Sequence, residues 1–228
     1  MDAVIPAAGK ASRIRGLPKF LLPCDREYQT LIEWHIAHLR QICDRVFIGC
    51  RPEQANLLRS LGLAGEQIVL CEVESPTMTS TVAKLLTHSD SESFVLAMPD
   101  TYFFGGQLSY RRFLEEAAGS RGSFFHLGLW NIRESQVGRV GQISLRSDGR
   151  VLDSVDKSPE SNYPYLWGVM AFSRDVFDGF MKPEDPHTGY GIPRAVSEGL
   201  AVTTRLFEGE YFDCGTPSEY WDLLEKIH

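Results

Sequence analysis

The chain has 228 residues, is 43% hydrophobic and 23% charged, and carries a formal net charge of −7. That profile fits one globular domain with a substantial core, and the acidic balance argues against nucleic acid as a partner, which needs a basic surface. Five scattered cysteines (Cys24, Cys43, Cys50, Cys71, Cys214) contain no C-x-x-C pair, which favours reduced thiols over a disulfide frame or a zinc site. No apolar run approaches membrane-spanning length, so the expected location is the cytoplasm, away from membranes.

In chain order, residues 3–5 read as a short strand that breaks at Pro6. Thr30 is placed to cap a helix over 31–41, followed by a strand at 45–50, a helix at 53–61 and a strand at 67–72. A helix over 80–88, capped by Thr79 or Ser80, precedes the nearly pure apolar strand 94–98, typical of a sheet centre covered on both faces. Strand and helix alternate through the first hundred residues, the mark of a doubly wound, mostly parallel sheet. A helix at 109–118 is followed by strands at 123–130, 141–146, 151–156 and 165–172, with Ser147-Asp148-Gly149 turning the middle pair into a hairpin. Helices at 174–181 and 193–199 and a strand at 202–207 come next. Thr216-Pro217-Ser218-Glu219 offers a capping box for a last helix. The fold class is therefore three-layer α/β, Rossmann-like, in one domain of two halves, 1–108 and 109–228, the second containing the hairpin.

Residues 7–19 carry the first chemical signal. Ala7-Ala8-Gly9 lets backbone approach a ligand closely, and Lys10, Arg13, Arg15 and Lys19 follow at once. The first 26 residues hold five Lys/Arg against two Asp in an otherwise acidic chain. A strand-end loop with free N–H groups and clustered cations suits a polyphosphate. Asp100 follows the apolar strand, where open α/β sheets bind ligands, and a carboxylate there is well placed to hold a metal over a phosphate. His35 and His38, three apart on a helix, read as ordinary surface residues rather than metal ligands.

Pro6-Ala7-Ala8-Gly9-Lys10-Ala11-Ser12-Arg13-Ile14 and Pro18-Lys19-Phe20-Leu21-Leu22-Pro23 resemble the signature loop of the sugar-1-phosphate nucleotidylyltransferases, roughly L-A-G-G-x-G-T-R-L and P-K-x-L-L-P. Two family glycines are Ala8 and Ala11 here. The P-A-A-G opening is similar to that of the methylerythritol-phosphate cytidylyltransferases. Met98-Pro99-Asp100-Thr101 resembles the family's G-D-N or G-D-T, and Phe212-Asp213-Cys214-Gly215-Thr216-Pro217 its x-D-x-G-T-P. The resemblance implies that Asp100 and Asp213 share one Mg²⁺, that Arg13 grips the β- and γ-phosphates, and that Lys19 bridges the α-phosphate and the incoming phosphate. It implies nucleotide contacts from Ala7, Ala8, Gly9 and Lys10, with Ser80 and Thr81 near the base. It implies acceptor contacts from Gly141, Asp156, Lys157 and Gly168, Lys157 anchoring the acceptor phosphate.

The implied activity is Mg²⁺-dependent transfer of an NMP from an NTP, a pyrimidine favoured, to a sugar 1-phosphate, giving an NDP-sugar and pyrophosphate. The neighbouring alternative is a cytidylyltransferase for a polyol or amino-alcohol phosphate, of methylerythritol-phosphate or phosphocholine type. His187-Thr188-Gly189-Tyr190-Gly191 stands where many members carry E-[IL]-T-D, which leaves the acceptor open between a hexose and these. An alternative of another class is a catalytically inactive nucleotide sensor or scaffold. A homo-oligomer is compatible with the sequence.

Overall fold

The computed structural model describes residues 1–9 and 16–228. Its centre is a sheet in the order β10-β6-β9-β4-β1-β2-β3, formed by β1 (Asp2–Pro6), β2 (Val46–Cys50), β3 (Ile68–Glu72), β4 (Ser93–Ala97), β6 (Phe125–Asn131), β9 (Tyr165–Ser173) and β10 (Val202–Leu206). Strands β1 to β4 run parallel. β9 runs antiparallel to β4 and β6, and β10 parallel to β6. The hairpin β7 (Gly141–Leu145) and β8 (Val151–Asp156) joins the sheet through Gln142 and Ile143, which pair with Leu166 and Tyr165 of β9. Gly149, at φ 82°, turns that hairpin.

Helices cover both faces. Side chains alternate along the strands: Ala3 and Ile5 of β1 join one apolar layer with α1 (Leu31–Leu39), α2 (Pro52–Ser60), α4 (Gln107–Gly119) and α7 (Pro217–Ile227). Val4 joins the opposite layer with α3 (Met78–Leu86), α5 (Arg174–Phe180) and α6 (Gly191–Ser197). Residues 1–5 and 94–97 are almost wholly apolar because both faces of these central strands are covered. The three-layer, doubly wound expectation therefore holds. All five cysteines are buried and free, and burial raises the thiols of Cys24 and Cys43 to about 12, so neither offers a thiolate at neutral pH.

Several local expectations shift. α3 begins two residues earlier than expected. Thr77, not Thr79 or Ser80, is its cap, and Thr77 and Ser80 close a reciprocal box. α6 starts at Gly191, because Pro193 falls within the first turn, where its missing N–H is not needed. Thr216 caps α7 as expected, but Glu219 does not complete the box; its carboxylate meets Arg133 instead, Nη2 to Oε2 3.3 Å. Two short strands, β5 (Thr101–Phe104) and β11 (Glu210–Asp213), pair antiparallel as a separate ribbon.

His35 corrects the surface reading. It is fully buried, with Nε2 2.9 Å from the Thr101 carbonyl, and rings of Trp34 and Phe103 stand edge-on to it. The carbonyl is an acceptor, so Nε2 carries the proton. Burial pushes this imidazole down to about 3, opposed in part by the bond to Thr101. A base whose folded value is depressed adds stability above its unfolded value, near 6.5, and loses it as pH falls toward the folded value. Urea unfolding at pH 7, 6 and 5 is expected to show stability falling, with His35 contributing up to about 1.4 kcal/mol per pH unit below 6.5. His35→Gln, which keeps a donor for Thr101 but does not titrate, is expected to flatten that slope; an unchanged slope would contradict the assignment.

Candidate functional site

β1 and β4 are neighbours, so the loop after Pro6 and the turn Met98-Pro99-Asp100 leave the same edge of the sheet. A cleft of about 460 Å³ opens between them, lined by Ala7, Ala8, Gly9, Lys19 and Asp100 among others, with Ser75 and Thr81 on the far wall. Ala7 N donates to Gly49 O, 2.7 Å, continuing the β1–β2 ladder one step into the loop. Thr81 is buried against Gly49, and its hydroxyl lies 2.5 Å from that of Ser75. Ser80 faces its own helix start, where its hydroxyl serves the Thr77 cap, and it does not line the cleft. Lys10 and Arg13 lie outside the described residues.

The ribbon β5–β11 fixes the acidic pair. Asp213 pairs in register with Thr101, and Cys214 N donates to the Asp100 carbonyl, 2.8 Å. The two aspartates, 113 positions apart in sequence, thus become neighbours across two strands. Gly215 N donates to Asp213 Oδ1, 2.9 Å, and Lys19 Nζ stands 3.3 Å from Asp100 Oδ2. A Cβ placed on Gly215 would lie 2.6 Å from Asp213 Oδ1, 3.2 Å from Lys19 Nζ and 3.4 Å from Asp100 Oδ2. The two carboxylate oxygens are therefore no more than about 6 Å apart, the limit set by those distances. A small divalent ion bound through two carboxylates, with phosphate oxygens and water completing its shell, fits such a pair after modest side-chain rotation. Among the described residues no group of three or more His, Cys, Asp or Glu is placed to hold a metal ion.

Residues that sequence reasoning missed hold this arrangement in place. Arg51 Nε donates to Ala8 O, 3.1 Å, and Gln54 Nε2 donates to Gly9 O, 3.3 Å. These bonds fix the Ala8 and Gly9 carbonyls against the start of α2. Arg51 N in turn donates to Gln54 Oε1, so the two side chains are coupled at the helix start. Behind β11, Arg133 Nη2 and Gln136 Nε2 both donate to Tyr211 O, at 3.2 and 3.0 Å, and the Arg133 guanidinium lies over the Phe212 ring. His35 holds the carbonyl of Thr101 on the partner strand. None of these residues falls in a recognisable motif; each is identified only by what it touches after folding.

The acceptor residues divide. Gly141 and Asp156 line a second cavity of about 180 Å³, with Trp167, His187, Gly189 and Tyr190. Lys157 is exposed, has a left-handed backbone at φ 48°, and lines neither cavity. Gly168 is buried, and a Cβ there would collide with the rings of Tyr211 and Trp130. Its glycine is explained by packing beneath β11. Met78 N donates to Pro186 O, 3.1 Å, so the segment bearing His187 is tied to a residue of the first cleft's wall.

Residues 3–132, more than half of the chain, match the MobA-like NTP transferase domain. The chain belongs to that family. It is a nucleotidyltransferase, and its family-matched segment contains the loop, Lys19, Asp100 and both halves of the Arg51–Gln54 brace, whereas Asp213 lies beyond it. No curated protein matches the chain. Solved structures share the fold along its whole length. A protein from Bacillus anthracis assigned as a glucose-1-phosphate thymidylyltransferase superposes with a TM-score of 0.81 at 17% identity, covering 100% of this chain and 95% of that one. A UDP-glucose pyrophosphorylase in complex with UDP-glucose gives 0.77 at 14% identity, covering 99% and 97%. The inositol-1-phosphate CTP transferase of T. maritima gives 0.75 at 16% identity, covering 99% and 95%.

In this nucleotidyltransferase, Gly215→Ala is expected to lower turnover roughly a hundredfold, the scale of losing a transition-state contact, while the melting temperature stays near that of the parent. Removing the loop brace is expected to act on binding: Gln54→Ala or Arg51→Met each raises the KM for NTP about fivefold, the worth of one hydrogen bond, with kcat less affected. Steady-state kinetics at saturating acceptor check both outcomes.

Proposed function

We propose that the chain transfers an NMP group from an NTP to a sugar 1-phosphate or another small phosphate monoester, releasing pyrophosphate, and that the reaction depends on Mg²⁺. The observation that carries this reading is the gathering of Asp100, Asp213 and Lys19 around the bare Cα of Gly215, at the mouth of a cleft floored by the small-residue loop. Support for the acceptor class comes from the similar structures, whose names specify glucose 1-phosphate, UDP-glucose and inositol 1-phosphate.

The nucleophile is a phosphate-monoester oxygen, already ionised at neutral pH, so the site requires no general base. The barrier lies in bringing two anions together and in stabilising charge on the departing pyrophosphate, and positioning and electrostatics are the terms that lower it. The backbone N–H groups of Ala8 and Gly9 face the NTP phosphates. Lys19, on a short 3-10 helix anchored by buried Phe20, reaches between Asp100 and the phosphates and holds the attacking oxygen beside the α-phosphorus. Arg13 and Lys10, assigned by motif, take the β- and γ-phosphates. Asp100 and Asp213 would hold Mg²⁺, which when bound supplies positive charge against the phosphate oxygens. Thr81 and Ser75 offer hydroxyls to the nucleotide from the opposite wall.

A matrix of five NTPs against sugar, polyol and amino-alcohol phosphates, scored for pyrophosphate with and without Mg²⁺, tests the reading. At least one pair is expected to release pyrophosphate, EDTA to abolish it, and Lys19→Ala to reduce kcat roughly a hundredfold with a smaller change in NTP binding. Silence across the matrix, or an undiminished Lys19→Ala enzyme, would sink it.

A further inference from the structure

We infer that the second cavity receives the non-phosphate end of the acceptor and that this end is a quaternary ammonium, making the acceptor an amino-alcohol phosphate of phosphocholine type. The inference rests on the nucleotidyl-transfer reading and narrows it.

The cavity is small, about 180 Å³, and three rings line it: Trp167, His187 and Tyr190. The His187 and Tyr190 centroids are 4.9 Å apart at 59°, and Trp167 lies 6.2 Å from His187 at 40°. Aromatic rings that line a small cavity can attract a desolvated cation through their quadrupoles. Trp167 enters this space because Gly141 has no side chain; a Cβ there would collide with its indole nitrogen.

The charge in the cavity has one sign. Asp156 is its carboxylate, and no lysine or arginine among the described residues lines it. His187 does not cancel that charge. Its Nδ1 accepts from Gly189 N at 3.2 Å, so the ring proton sits on Nε2, which donates to Asp156 Oδ2 at 3.1 Å. The imidazole is thereby satisfied in its neutral tautomer and orients the carboxylate. Burial would raise the Asp156 carboxyl, but the hydrogen bond from His187 and the nearby Lys157 charge outweigh it and hold it below its ordinary value. The carboxylate is ionised wherever the enzyme would work.

A hexose suits this lining less well. Each of its hydroxyls needs a partner on leaving water. Both His187 nitrogens are taken, which leaves the Ser154 and Tyr190 hydroxyls and the Asp156 carboxylate as the main side-chain partners for several sugar hydroxyls, while Val155 and Pro193 offer none. A trimethylammonium group asks for no hydrogen bond, only ring faces and a counter-charge.

The cavity is also in the right place. Gly168, next to Trp167, packs under Tyr211, two residues from Asp213. Val169 pairs with Ala97, three residues before Asp100. β9 thus links the two places, and on this reading an acceptor whose phosphate reaches the Asp100–Asp213 pair extends along it toward Trp167.

The test compares phosphocholine, its uncharged isostere 3,3-dimethylbutyl phosphate, and glucose 1-phosphate, each with five NTPs and Mg²⁺. Phosphocholine is expected to exceed both others in kcat/KM by at least about tenfold with the best NTP. Asp156→Asn and Tyr190→Ala are each expected to raise the KM for phosphocholine, with the Asp156→Asn penalty larger for phosphocholine than for the isostere, and circular dichroism verifies that both variants are folded. Equal use of the isostere, or an equal Asp156→Asn penalty on both, overturns the charge assignment. Preference for glucose 1-phosphate overturns the head group while nucleotidyl transfer stands. No pyrophosphate from any pair overturns both.

Discussion

The antiparallel pairing of Thr101–Phe104 with Glu210–Asp213 is the contact on which the candidate centre depends. Each strand is only four residues long and stands apart from the main sheet, so its own hydrogen bonds are too few to hold it. The ribbon is secured from outside. Arg133 and Gln136 grip the Tyr211 carbonyl, His35 grips that of Thr101, and Phe103, Trp130 and Tyr211 pack ring on ring beneath it. The Tyr211 and Thr101 carbonyls have definite donors here, and losing one would leave a buried polar group unpaired, at a cost of about 1–3 kcal/mol.

The fold was legible because its signals are local. Covered central strands announce themselves as unbroken apolar runs at 3–5 and 94–97, and Thr30 and Thr216 mark helix starts by type and position. What escaped was decided by distant partners. Nothing in Thr-Tyr-Phe-Phe reveals that it pairs with a segment over a hundred residues on. His35 looked like a surface residue because its helix carries polar neighbours, yet the aromatic residues of α4 and β5 bury it. Glu219 had the spacing of a capping residue, but its carboxylate meets the Arg133 guanidinium, a partner 86 positions away that local spacing does not reveal.

The candidate site divides in the same way. Lys19, Asp100 and Asp213 were found through short motifs whose residue types the chemistry dictates, and the fold gathers them. Asp156 and Gly141 share a cavity, whereas Lys157 and Gly168 do not belong to it. The brace from Arg51 and Gln54 left no trace in sequence, because a side chain that holds a carbonyl can come from any element that passes close by. Trp167 comes from β9 whereas His187 and Tyr190 share one short helical turn some twenty residues on, so the full aromatic wall has no single linear signature.

The long reach of the ribbon has a consequence for when the protein becomes competent. During synthesis the phosphate loop, Lys19 and Asp100 emerge from the ribosome well before Asp213, and N-terminal segments begin to fold first. A nascent chain can shape the cleft while still lacking Asp213. The candidate centre is completed last, by the stretch that also starts the final helix.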